Sequence, residues 1–250
     1  MTMKREMKKF AAFAMAAVMM VAFPASVSAE ELGQGDEKTG VGEVEGSVKQ
    51  DIYQVVLPTV TDEMFDFIID PQGLINKTDA AAYDGKTFEE GGTLFFERKD
   101  GGVEEDYSSM SDAIKITNRS SMAIDVAVEV HVEAESLNGI TLTDDKEFTD
   151  DTGASLYLAL TDGEETVPVG ADGVSMNVSV DAAPEGAYEY SYDEETGEYT
   201  YEMSSDLSGI EFPEYSFQLV GAANEKGDWS ELKGAVPKIT VSWRIAPKSE

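Results

Sequence analysis

Across residues 122–134 the chain alternates without a break. Met122, Ile124, Val126, Val128, Val130, Val132 and Ala134 form one apolar set, and Ala123, Asp125, Ala127, Glu129, His131 and Glu133 form the other, mostly polar set. Successive side chains leave a strand on opposite faces, so a period of two predicts a strand with one face on a core and one in water. Antiparallel sheets permit that arrangement.

Shorter strands are predicted at 51–57, which Pro58 ends, and at 64–69, which the Asp70-Pro71-Gln72-Gly73 turn ends. More follow at 93–98, 112–118, 155–160, 174–180, 187–192, 199–203, 215–220 and 238–245, punctuated by Gly, Asp, Asn and Pro. One short helix fits near 80–83 or 229–232. Many short strands without a strong helical window imply an all-β fold, an antiparallel β-sandwich of jelly-roll or Ig-like type. Residues 49–247 would form the β-sandwich domain, and the pattern leaves one domain or two open. Its core would combine the apolar face of 122–134 with Phe65, Phe67, Phe95, Leu156, Leu158, Phe217, Leu219, Ile239, Val241 and Trp243.

One predicted hairpin is unusual. A four-residue loop, 194–197, would set Asp193 against Glu198, Tyr192 against Tyr199, Tyr190 against Tyr201 and Tyr188 against Met203. Five tyrosines and a methionine then share a face, and Glu189 meets Glu202 on the other. Aromatic pairs across strands are favourable and like charges are not. Tyr188, Tyr190, Tyr199 and Tyr201 are candidate ligand-binding residues, a platform for sugar rings. The alternative is that the tyrosine face is half-buried or covers a loop.

The N-terminus changes the setting. Lys4, Arg5, Lys8 and Lys9 precede an uncharged, mostly apolar run over 10–23, and Val27-Ser28-Ala29 offers small residues for cleavage. Residues 1–29 read as a signal peptide, with no membrane insertion expected after its removal. Residues 30–48, rich in Gly and Glu, read as a flexible acidic leader. Removing the first 29 residues leaves 49 acidic against 14 basic side chains, a net charge of −35. Such a surface repels nucleic acid and anionic lipid. The chain has no cysteine, which excludes a disulfide framework, a thiol nucleophile and a lipid-modified cysteine.

Carboxylates cluster at Asp144 and Asp145 and again at Asp150 and Asp151. Hard oxygen ligands in loops suit Ca²⁺, the one cofactor that composition suggests, although the spacing of a helix-flanked calcium loop is absent. His131 is the only histidine and falls on the polar face of its strand. A multi-histidine zinc site is therefore excluded, and no G-x-S-x-G elbow or phosphate-binding glycine motif appears. The expectation is a noncatalytic protein.

Pro237-Lys238-Ile239-Thr240-Val241-Ser242-Trp243-Arg244-Ile245-Ala246-Pro247 resembles the distal segment of WxL-type surface proteins of Gram-positive bacteria. That resemblance implies noncovalent attachment to the cell wall. Ile116-Thr117-Asn118-Arg119-Ser120-Ser121, before the long alternating strand in an exported cysteine-free chain, looks like camelysin-type and TasA-type matrix proteins. This second resemblance implies a jelly-roll subunit that polymerises by donating a terminal strand. Together these readings predict a secreted, cell-surface-associated structural or adhesive protein, a fibre subunit by the second resemblance, working through self-association or cell-wall contact. The alternative is a glycan- or peptidoglycan-binding module that uses the tyrosine platform.

Overall fold

A computed structural model describes residues 50–59, 64–99, 105–149, 152–230 and 237–248. The expected signal peptide and acidic leader lie outside the described residues. The fold is all-β. Its strands are β1 (Val55–Val56), β2 (Phe67–Ile69), β3 (Leu94–Glu97), β4 (Tyr107–Ser108), β5 (Ile114–Asn118), β6 (Ile124–Val132) and β7 (Thr141–Thr143). They continue as β8 (Ser155–Thr161), β9 (Thr166–Pro168), β10 (Val174–Val180), β11 (Tyr188–Asp193), β12 (Glu198–Met203), β13 (Glu214–Ala223) and β14 (Ile239–Pro247). Among the described residues, helical structure is confined to single turns: α1 (Leu74–Lys77), a 3₁₀ turn (Ala81–Tyr83) and α2 (Ala134–Leu137).

Two layers enclose the main core. One is a sheet in the order β1-β5-β13-β8-β7, with β9 also on β8. The other contains the three-stranded sheet β10-β6-β14. The alternation of β6 produces its burial directly. Ile124, Val126, Val128, Val130 and Val132 are buried, and Val128 lies between Met176 of β10 and Trp243 of β14. The Trp243 ring crosses the layer to meet Phe217 of β13 edge-on, with centroids 5.7 Å apart. Gly221 faces the same core. A Cβ there would lie 2.7 Å from Leu94 Cδ2, so the glycine admits the β3 side chain to the sheet.

Several expectations are corrected. Ala134 does not extend the β6 face; it is exposed and opens α2, where Ala, Glu and Leu favour a helical turn that Asn138 ends in the left-handed region. Phe95 is buried, but in a separate cluster with Ile75 and Ala80, because its β3 neighbours Leu94 and Phe96 take the main core. Phe65, Phe67, Ile239, Val241 and Trp243 pack against the core while only partly buried. The β7–β8 pair is parallel, against the expected antiparallel pattern. β8 is buried along its whole length, as its continuous SLYLALT composition allows for a strand covered on both faces. The helical turn near 80–83 is present. Short α1 begins where the buried Asp70 carboxylate accepts from the Leu74 and Ile75 N–H groups at 2.8 and 2.7 Å.

Candidate interaction surfaces

The first surface is the edge where the N-terminal described segment joins β5. Val55 and Val56 pair with Asn118 and Thr117. The pairing continues past β1 through a polar loop. The Arg119 N–H donates to the Gln54 carbonyl and the Ser121 N–H to the Ile52 carbonyl, both at 2.9 Å. Ser120 Oγ accepts from the Gln54 N–H at 2.9 Å and donates to its carbonyl at 3.1 Å. Ser121 Oγ accepts from the Ile52 N–H at 2.8 Å and donates to Asp51. Serine suits this place because one short hydroxyl both gives and receives. The segment buries little: Tyr53, Val56 and Leu57 are 37%, 42% and 54% exposed. Nothing local in 116–121 assigns these serines their bonds. Two adjacent hydroxyls immediately before the alternating run are the available signal.

The second surface is the β11–β12 hairpin. Its register is the expected one, from Tyr188↔Met203 to Asp193↔Glu198. Asp193 Oδ1 accepts from the Glu195 N–H at 2.8 Å, and Gly197 at φ +73° closes the loop. Backbone bonds from Glu195 and Thr196 hold the Asp193 carboxyl below its ordinary range. Ring centroids of Tyr190 and Tyr201 are 4.6 Å apart, those of Tyr192 and Tyr199 4.7 Å, and those of Tyr188 and Tyr201 5.3 Å. The hairpin base is tethered: Tyr188 Oη donates to the Arg119 carbonyl, and burial pushes the Tyr188 phenol up. Its outer part projects into solvent, with Tyr190, Tyr192 and Tyr199 exposed. Of the expected platform, Tyr190 and Tyr199 are open, Tyr201 is partly covered beneath them and Tyr188 is occupied by its tether. Tyr192, left out of the expected platform, belongs to the exposed row.

Of the four expected calcium ligands, Asp144 and Asp145 lie among the described residues. Asp145 turns its carboxylate onto the Glu147 and Thr149 N–H groups at 2.9 and 2.7 Å. Those bonds hold its pKa below the ordinary value. Asp144 is exposed, and Asp150 and Asp151 lie outside the described residues. No group of three metal-ligating side chains occurs among the described residues. His131 is exposed on β6 opposite Thr240.

In the C-terminal segment, β14 turns Trp243 inward against Phe217. Thr240, Ser242 and Arg244 face out. An open depression of about 460 Å³ on this outer face is bounded by Asp125, Asn177, Ser179 and Arg244. No helix among the described residues is long and apolar enough to cross a membrane. Comparison with protein-family models, curated proteins and solved structures finds no match.

Proposed function

We propose that this is an exported, noncatalytic protein of a Gram-positive cell surface or extracellular matrix, with a structural or adhesive role, which self-associates by exchanging its N-terminal edge strand. The reading rests on the way residues 52–56 are held. Ladder bonds and two serine hydroxyls attach them, while Tyr53, Val56 and Leu57 remain largely exposed. The same segment of a second copy would make the same bonds on the same edge. Exchange therefore costs little beyond association entropy, and concentration decides between closed and linked forms. The basic, apolar and small-residue succession over 1–29 supports export.

Sedimentation and negative-stain microscopy of the chain lacking residues 1–29 test this reading. Oligomers or filaments should grow with protein concentration. An added peptide spanning 50–58 should shorten them, and Ser120→Ala with Ser121→Ala should reduce them. A strict monomer at every concentration, with and without salt or calcium, would overturn the reading.

A further inference from the structure

The outer β11–β12 ribbon has a charge pattern that a sugar platform leaves unused. No Lys or Arg occurs between Lys146 and Lys226, and the ribbon sits inside that stretch. Glu189 lies directly opposite Glu202, and Asp193 opposite Glu198. Glu194 and Glu195 extend the negative charge around the loop. Among the described residues, no ion pair reaches these carboxylates. Like charges facing each other across a ladder repel. The reverse face exposes Tyr190, Tyr192 and Tyr199 by 69%, 52% and 55%. Tilted contacts with partners across the ribbon, with centroids 4.6 and 4.7 Å apart, already order the rings.

We propose that this ribbon docks an arginine- and lysine-rich polypeptide segment. Two independent features point to the same chemistry. Exposed tyrosine faces attract guanidinium and ammonium groups through the ring quadrupole, and arginine also stacks its plane on them. Carboxylates on the edges and opposite face of a thin two-stranded ribbon lie within a screening length of the same partner, so their mutual repulsion becomes attraction to it. A neutral glycan would cover the rings and leave Glu189 and Glu202 facing each other. A second copy of this strongly acidic chain would add to the repulsion. The inference is independent of strand exchange, because the ribbon and the β1 edge use different residues.

Calorimetric titration of the full chain with a hexa-arginine peptide tests the proposal. Binding should weaken steeply between about 0.02 M and about 0.3 M NaCl. Tyr190→Ala with Tyr199→Ala should lower affinity about tenfold without changing the protein's charge. Glu189→Gln with Glu202→Gln should lower it to a similar degree. Glu135→Gln with Asp172→Asn removes as much charge from exposed positions elsewhere, and should change affinity less than about twofold. Circular dichroism confirms that each variant is folded, and Tyr190→Leu, which keeps apolar bulk without a ring, replaces the double variant if that one unfolds. Equal losses from the remote pair, or none from removing the rings, would overturn the proposal. So would tyrosine-dependent binding of chitohexaose alongside tyrosine-independent binding of hexa-arginine, which would return the rings to a glycan.

Discussion

Asn118 Nδ2, at the end of β5, donates to the carbonyl of Asp181, just beyond β10, at 2.7 Å. One amide thereby joins the two layers of the fold. The same nitrogen donates to the Met122 carbonyl at 3.0 Å, and Oδ1 accepts from the Ser120 N–H at 2.9 Å. The Asn118 side chain is completely buried. Asn118→Ala orphans the buried Ser120 N–H and takes the amide away from the part-buried Met122 and Asp181 carbonyls, at about 1–3 kcal/mol for each buried group left unmade. The expected loss is about 2–4 kcal/mol, read as a lower urea midpoint at unchanged slope. Asn118→Asp should be worse at neutral pH, because a carboxylate would face two carbonyl oxygens. An alanine variant as stable as the parent would remove this amide from the account of how the layers are joined.

Arg98 Nε donates to Asp112 Oδ1 at 2.7 Å, with the two side chains only 17% and 12% exposed. The other carboxylate oxygen accepts from the Lys99 N–H at 2.6 Å. Removing one member of a buried pair strands the other charge, so Asp112→Ala should cost about 3–5 kcal/mol. Arg98→Met should cost less in the Asp112→Ala background than in the parent. A double-mutant cycle on thermal or urea unfolding measures that coupling, and strictly additive losses would show that the pair does not interact.

What was legible in the sequence follows from how local each cause is. The β6 alternation and the tyrosine hairpin register depend on neighbours in the chain, and both appear as expected. β4, β7 and β9 escaped because two or three residues carry no periodicity; they are strands only because longer neighbours offer them a ladder. Phe95 is buried as expected but in the smaller cluster, because alternation says which residues share a face, not which of two clusters that face meets. The serine clasp on residues 52–54 pairs groups almost seventy positions apart, which no local pattern encodes.

Val128 and Glu129 test the facing of β6. Val128 is fully buried between Met176 and Trp243. Val128→Ala should cost about 2 kcal/mol, the lost transfer of two methyl groups plus a small cavity. Val128→Asp should prevent folding, since it buries an unpaired charge. Glu129 is paired with Arg244 at 3.6 Å, with their side chains 59% and 77% exposed. Glu129→Gln should therefore shift stability by no more than about 0.5 kcal/mol. Comparable losses from Val128→Ala and Glu129→Gln would invert the assignment.

Asp106 should make a pH-dependent contribution. Its carboxylate accepts from the Thr87 N–H at 2.8 Å, the Thr87 hydroxyl at 3.0 Å and Lys86 Nζ at 3.2 Å. The Thr87 bonds, then Lys86, hold its pKa below the ordinary value. A depressed carboxylate binds its proton less readily folded than unfolded, so its stabilisation is present above the unfolded value and lost as pH falls through the folded one. The gap in melting temperature between the parent and Asp106→Asn should be widest near neutral pH and close below about pH 4. A gap that persists unchanged in acid would show that the aspartate acts through something other than its charge.

Tyr215 provides the opposite sign. Its phenol oxygen is buried without a hydrogen-bond partner among the described residues. Burial, with smaller contributions from Asp162 and Glu165, pushes its pKa up to about 12 from 10.0. The folded state therefore keeps a proton that the unfolded chain releases. The resulting stabilisation is complete below about pH 10 and is lost as pH rises toward about 12. Tyr215→Phe removes an unsatisfied oxygen while keeping the ring between β13 neighbours, so at neutral pH it should be neutral or stabilising by about 1 kcal/mol. The variant should also lose less stability than the parent on titration into alkali. If Tyr215→Phe instead destabilises by more than about 1 kcal/mol at neutral pH, the phenol has a partner, and the burial of a lone hydroxyl is not what raises its pKa.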